Sequence, residues 1–485
     1  GGFCLTPGER NRADLRVPRA LVSFVPAANM ASIAAIVLLA GAGAACAQQA
    51  GTVVAEAQPP MPLQFCTAAE GCAAEPAAVT LDANWRWVHA ADGYENCFTE
   101  GRWSEKHCPD GHACASKCAV EGVDAEGYAK TYGVKSIPTG VELEFVSSGG
   151  NVGSRVYLTD GAESYKLFKL KNREFAFEVD VSSLACGLNG ALYFVEMDVA
   201  GGKGKGNNTA GAKFGTGYCD AQCPKDVKWM HGQANIDGER GMCCFEMDIW
   251  EANRMATAFT THPCAVEGAF ACSGMECGDG AKGERYLGVC DKDGCDMNGF
   301  RMGAQSHYGV GPEFEVDSNK PMKVVTQFLT TDGTDAGDLA EIRRLYVQDG
   351  KVIAHADSAV PGVPGNSITD EFCSAQKAAF GDPDDHKAKG GLKKMGEALD
   401  RGLVLALSLW DDGATEMRWL DSTFPPGEPA DRLGVMRGPC DGSANNPQFL
   451  RTAHAKASVK YMNIMHGELG STFDGDARRL SPLMV

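Results

Sequence analysis

Cys243-Cys244-Phe245-Glu246-Met247-Asp248-Ile249-Trp250-Glu251-Ala252-Asn253 sets three carboxylates within six residues of an otherwise apolar, aromatic run. On a regular β-strand side chains alternate between faces, so Glu246, Asp248 and Trp250 point one way and Glu251 the other. A β-bulge between Asp248 and Glu251 inserts one unpaired residue, resets the parity and turns Glu251 onto the face of the other two acids. Five residues of strand span roughly 16 Å at about 3.3 Å each; the bulge shortens this, and two glutamates leaning together close most of the rest. Glu246 and Glu251 then come within the ~5–5.5 Å at which one carboxylate attacks an anomeric carbon while the other protonates the leaving oxygen. Two plainer readings fit the same acids: a solvated strand face, and oxygen ligands for calcium. Trp250 among the acids argues against a merely solvated edge.

Working outward, the chain has 485 residues, 44% hydrophobic, 22% charged and 8% aromatic, enough to bury one large all-β domain or two ordinary ones. Met30 is the first methionine. The run from it to Ala47, a short apolar core and then small residues in an Ala-x-Ala pattern, reads as a secretory signal peptide, although no Lys or Arg follows Met30 to make a basic start. A membrane anchor is the competing reading, but glycines interrupt the apolar run. Residues 1–29, with Arg10, Arg12, Arg16 and Arg19 and no starting methionine, read as upstream sequence, so the expected domain is 48–485. The net charge is −18; the leader carries four Arg against Glu9 and Asp14, a net of +2, which leaves −20 on the rest. Such a surface repels nucleic acid and anionic membranes and is indifferent to a neutral polymer. No Walker-type or dinucleotide glycine loop and no internal repeat occurs, and no cofactor is expected.

Of twenty cysteines, eighteen remain once Cys4 and Cys46 are set aside with the leader. An even number fits disulfides in the oxidising compartment that a signal peptide implies. Zinc is the competing reading, but the close pairs Cys66/Cys72, Cys108/Cys114 and Cys272/Cys277 lack the Cys-x-x-Cys spacing and histidine ligands usual there. Alternating strand patterns recur at 141–145 and 175–181, with further strand-like runs at 191–197, 323–328 and 459–464. Residues 345–353 read as a hairpin turning at Asp349-Gly350. Helices are expected only at 370–380 and 391–399. Trp85 and Trp87, at i and i+2, share one side if they lie on a strand and would offer a flat apolar platform to a sugar ring; a pair of core tryptophans is the alternative. The single Asn-x-Thr sequon makes Asn207 a candidate for glycosylation.

Glu-x-Asp-x-x-Glu, directly after Cys-Cys and before Ala-Asn, resembles the active-site strand of glycoside hydrolase family 7, the cellobiohydrolases and endoglucanases. Leu81-Asp-Ala-Asn-Trp-Arg-Trp-Val-His89, Cys186-Gly-Leu-Asn-Gly-Ala-Leu-Tyr-Phe194, Gly215-Thr-Gly-Tyr-Cys-Asp220, His262-Pro-Cys264, Ser408-Leu-Trp-Asp-Asp412 and Trp419-Leu-Asp-Ser-Thr423 match in order. The resemblance implies a concanavalin-like β-sandwich (jelly roll) with few short helices, whose concave sheet forms a long cleft or tunnel for a cellulose chain. It implies a secreted monomer that hydrolyses β-1,4-glucosidic bonds with retention and needs no metal. By the same resemblance Glu246 is the nucleophile, Asp248 its partner, Glu251 the acid/base and His262 its neighbour. Trp85, Trp87, Trp410 and Trp419 are sugar platforms, Tyr193 and Gln222 line the cleft, and Arg301 and Arg437 belong to the product side.

The disulfides implied are Cys66–Cys72, Cys97–Cys118, Cys108–Cys114, Cys186–Cys440, Cys219–Cys244, Cys223–Cys243, Cys264–Cys290, Cys272–Cys277 and Cys295–Cys373. Gly51 and Ala119 stand where many relatives carry a tenth. Ala221 stands where a serine is usual, so turnover is expected to be tuned downward. No linker to a cellulose-binding module is recognisable. Residues 272–301 and part of 380–390 resemble roof loops of cellobiohydrolases, whereas only seven residues separate Asn235 from Cys243, where tunnel enzymes carry a longer loop. The expectation is cellobiose release from reducing ends through a locally open tunnel. The alternatives are an open-cleft endo-β-1,4-glucanase and, outside enzymes, a glucan-binding lectin or a structural cell-wall protein.

Overall fold

Residues with period-two hydrophobicity build the outer sheet of a sandwich in the computed structural model, which describes residues 48–161, 163–279 and 284–473. The segment read as a signal peptide and residues 1–29 lie outside the described residues. The outer sheet runs in the order Lys351–Ala354, Leu339–Gln348, Met322–Thr330, Arg173–Asp180, Ser458–Gly467, Gly140–Glu144, Val134–Ile137. Each expected strand is present with its ends displaced by one to three residues: Phe145, Val181, Glu196 and Met197 fall outside their strands, while other ends lengthen where a neighbour supplies hydrogen-bond partners. Asp349 and Gly350, with φ of +50° and +74°, make the tight hairpin turn that joins Leu339–Gln348 to Lys351–Ala354.

The inner sheet runs Cys295–Asn298, Thr257–His262, Glu246–Ala252, Leu188–Val195, Leu403–Asp411, Ser154–Thr159, Ala78–Leu81. Its strands are buried along nearly their whole length. One face closes on the outer sheet over Leu192, Phe194, Met247 and Trp250, against Phe175, Phe177, Tyr346 and Tyr461. The other face is concave and carries a second apolar layer of Tyr157, Tyr193, Val195 and Tyr218 beneath the loops. This is an all-β sandwich.

Helices form at Asp370–Phe380 and Gly391–Arg401, as read from the sequence, the first begun by Thr369, whose side chain accepts from the Phe372 N–H. Gly111–Lys117, Asp385–Ala388, Arg418–Asp421 and Pro447–Ala453 are further helices of one or two turns, too short to leave a periodic signature. Nine disulfides join the described residues in the pairs implied by the resemblance. At the place of the missing tenth, Gln49–Ala50 pairs in parallel with Cys118–Val120 and the Gly51 N–H reaches the Val120 carbonyl at 2.8 Å, so backbone pairing holds the N-terminal arm there.

The expectation that Trp85 and Trp87 share a strand face is corrected. Both lie before the strand Val88–Ala90. Asp82 nucleates a turn by accepting from the Asn84 N–H at 2.8 Å, and its carbonyl accepts from Trp85. The turn drives Arg86 inward to a buried ion pair with Glu56 at 2.5 Å, leaving the two tryptophans half-buried on either side.

Candidate active site

Cys243 and Cys244, bridged to Cys223 and Cys219, anchor the start of the acidic strand. Against Leu188–Val195 the register reads Glu246 opposite Val195, Asp248 opposite Tyr193, Trp250 opposite Leu192 and Glu251 opposite Ala191. Ile249 has no partner in that ladder. The other neighbour shows the same interruption between Asp248 and Glu251. Val195, Tyr193 and Ala191 share the concave face, so the bulge brings all three acids onto one wall. Trp250, which an unbroken strand would place among the acids, is fully buried on the opposite face, edge-on to Phe177, Tyr308 and Tyr346. The tryptophan therefore anchors the strand to the core and plays no part in the cleft.

The three carboxylates are 7%, 5% and 9% exposed at Glu246, Asp248 and Glu251. Glu246 accepts from the Ala221 backbone N–H at 3.0 Å and Glu251 from the Asn189 amide at 3.0 Å. Asp248 takes the Nε2 of His262 at 3.0 Å, while His262 Nδ1 faces the Asp291 carbonyl at 2.8 Å. Both histidine partners are acceptors, so both ring nitrogens carry protons and the ring is an imidazolium. Burial alone pulls its pKa down, but the hydrogen bond and charge of Asp248, with Asp291, outweigh this and raise it to about 9. Glu246 is pushed well above the usual carboxylate range by burial and then by Asp248, Asp220 and Glu251. Glu251 is pushed up likewise, by burial first and Asp248 next. Glu246, Asp248 and His262 present atoms within 4.8 Å of one another, but the histidine donates through both nitrogens, so the trio in this state offers a cation no imidazole lone pair.

Gly294 fixes this arrangement from outside. Its φ is +65°, and a Cβ there would sit 2.5 Å from His262 Cε1 and 2.4 Å from a Thr260 methyl, so only glycine lets the loop lie on the imidazolium.

Of the other candidates, Tyr193 and Trp410 stand on strands of the same sheet. Trp410 and Trp419 lie with ring centroids 6.3 Å apart, and the Trp419 N–H donates to Asp412 at 3.1 Å. The Tyr193 hydroxyl meets that of Tyr218 at 3.0 Å. Gln222 ties its loop to the Lys292 carbonyl at 2.6 Å. Arg301 is largely committed to the protein: it donates to Asp296, Asp382 and the Gly434 carbonyl and lies over Phe380. Arg437 is freer, since its Nε has no partner among the described residues. Asn207 ends a 3-10 turn, Lys205–Asn207.

Sequence reasoning assigned no role to several residues that shape this wall. Asp220 accepts from the Tyr218 hydroxyl at 2.6 Å and acts on Glu246, and Arg155 lies 3.3 Å from the Tyr218 ring centroid. Tyr94, 73% exposed, stacks beside Trp87 with centroids 6.3 Å apart. A lone aromatic in a turn leaves no pattern that could have marked it.

An all-β sandwich with aromatics around three buried neighbouring carboxylates defines the class, a fold that carries a site for acid–base chemistry. The sequence profile of Glycosyl hydrolase family 7 matches residues 50–473. Similar solved structures include a family 7 cellobiohydrolase of Daphnia pulex, 48% identical over 88% of this chain and 100% of that one, with TM-score 0.86. A cellobiohydrolase of Melanocarpus albomyces, complexed with cellotetraose, is 37% identical over 88% and 100%, with TM-score 0.82. The endocellulase EGI of Humicola insolens is 38% identical over 88% and 100%, with TM-score 0.76. The chain belongs to glycosyl hydrolase family 7.

Proposed function

We propose that this protein hydrolyses β-1,4-glucosidic bonds of cellulose with retention of configuration, releasing mainly cellobiose from reducing chain ends. The observation that carries the reading is the bulge at Ile249, which sets Glu246, Asp248 and Glu251 on one buried wall of the cleft. Burial and neighbouring acids raise both glutamates and oppose their ionising together, which favours the state the chemistry needs, one carboxyl ionised and the other protonated. Glu251 gives that proton to the glycosidic oxygen while a Glu246 oxygen attacks C1; the C1–O bond breaks and a glycosyl ester forms. The Glu251 carboxylate then takes a proton from water, the water oxygen attacks C1, and the ester bond to Glu246 breaks. Asp248, held by the His262 imidazolium, steadies Glu246 without bonding to the sugar. Proton NMR of the first product tests this: a β-anomer is expected, and an initial α-anomer would sink the mechanism.

The family membership and nine disulfides support an extracellular enzyme; we read 48–485 as one domain acting as a monomer, with Asn207 a glycosylation candidate from its sequon. No helix among the described residues is long and apolar enough to cross a membrane. One observation favours some endo action. Asn235 donates to the carbonyls of Lys225 and Arg240 at 2.9 and 3.1 Å, so residues 236–239 are drawn into a short turn. The ratio of soluble to insoluble reducing ends made from cellulose separates the two: a high ratio supports chain-end release, and a ratio as low as an endoglucanase's overturns it.

A further inference from the structure

The bulge that aims the acids leaves a backbone problem. Ile249 is unpaired against Leu188–Val195 and fully buried, and a carbonyl out of the ladder in such a place needs another donor. The donor comes from the opposite sheet. Arg344, on the strand Leu339–Gln348, reaches through the core, and its Nη2 donates to the Ile249 carbonyl. Its Nε lies 3.3 Å from Thr326 Oγ1, and its guanidinium sits over the Phe259 ring at 4.3 Å, on the strand that flanks the bulge. The side chain is fully buried, the neighbour that acts on its charge is Tyr346, and no carboxylate forms an ion pair with it among the described residues.

A buried cation without a counter-ion is destabilising, and an apolar side chain of similar size in its place is often neutral or better for stability. Stability alone therefore gives no reason to place an arginine here. Its hydrogen bond to a backbone carbonyl goes to the residue whose extra position decides which way Glu251 faces. We infer that Arg344 is a positioning residue for the reaction: it pins the bulge carbonyl toward the core and so holds Glu251 toward the cleft.

The inference rests on the reading of Glu251 as the acid/base, and the two can fail separately. An acid/base held out of line hampers departure of a poor leaving group far more than that of a good one, which needs little protonation. Arg344→Met should remain folded and show KM within about twofold of wild type. Its kcat on an aryl cellobioside with a poor leaving group such as phenol should fall roughly 10- to 100-fold, with a loss at least several-fold smaller on the dinitrophenyl compound. Arg344→Lys, which keeps a donor, should restore part of the loss, and it carries the same paired comparison should the methionine variant not fold. Equal losses on both substrates, or no loss in a folded variant, would overturn the role of Arg344. Glu251→Gln assayed alongside separates the two readings: if it lacks the same leaving-group selectivity, the acid/base assignment has failed instead.

Discussion

The two faces of the strand Glu246–Ala252 differ as much as any two regions of the molecule. Toward the outer sheet, Met247 and Trp250 lie in a continuous apolar core, and Trp250 touches three aromatic rings edge-on. Toward the cleft, a few ångströms away, Glu246, Asp248 and Glu251 are almost as deeply buried, yet they are held by directed hydrogen bonds and a charge. Burial on the core face is favourable at about 25 cal/mol per Å² of apolar surface; on the cleft face the same burial penalises the anionic forms of Glu246 and Glu251 and raises their pKa. The residues on the two faces are interleaved in sequence. One strand thus spends stability from its core side to hold charges that would otherwise move apart.

This contrast can be broken most sharply from the cleft side. Glu246→Gln and Glu251→Gln should each lower kcat on cellulose by about 10³-fold or more while leaving the melting temperature at or above the wild-type value, because each removes a repelling buried acid. A large drop in melting temperature with either substitution would show that the acids are structural. From the core side, Trp250→Ala should cost about 3–5 kcal/mol of stability by opening a cavity, measured by chemical denaturation. Residual activity of the folded fraction well below its share would indicate that the bulge, too, depends on the tryptophan.

Asp248→Asn should cost less than loss of either glutamate, about 10- to 100-fold in kcat, with a second signature in pH. The folded pKa of His262 is raised, from 6.5 to about 9, so its contribution to stability is fully present below pH 6.5 and is lost as pH climbs through 9. Wild type should therefore lose a few kcal/mol over that interval, and Asp248→Asn much less; parallel curves would refute the ion pair. Gly294→Ala, which presses a methyl on His262, should shift the same pH window without touching an acid. The smallest effect is expected from Ala221→Ser. The backbone N–H of residue 221 already serves Glu246, so an added hydroxyl should raise kcat only a few-fold, and no change would mean that the backbone donor suffices.

How much was legible beforehand differs from residue to residue. The spacing of Glu246, Asp248 and Glu251 is informative because strand geometry allows only two outcomes, acids split between faces or united by one extra residue, and chemistry favours the second. The outer strands announced themselves through alternation, and the hairpin through Asp349-Gly350, since local backbone geometry follows from local residue types. Trp85 and Trp87 were read onto a strand because their spacing fits one. What overrode it was the Asp82 turn and the pull of Glu56 on Arg86, a partner 30 positions away.

The sequence by itself thus determined which segments extend, where the hairpin turns and which acids are candidates, all of them properties carried by neighbours along the chain. Only the tertiary structure decided that Ile249 is the extra residue and that Trp250 turns inward. It alone joined His262 to Asp248 and Asp291, and set Arg344 from the other sheet on the bulge. Those outcomes depend on which strands meet and in what register, and on burial that no residue possesses until the two sheets close over it.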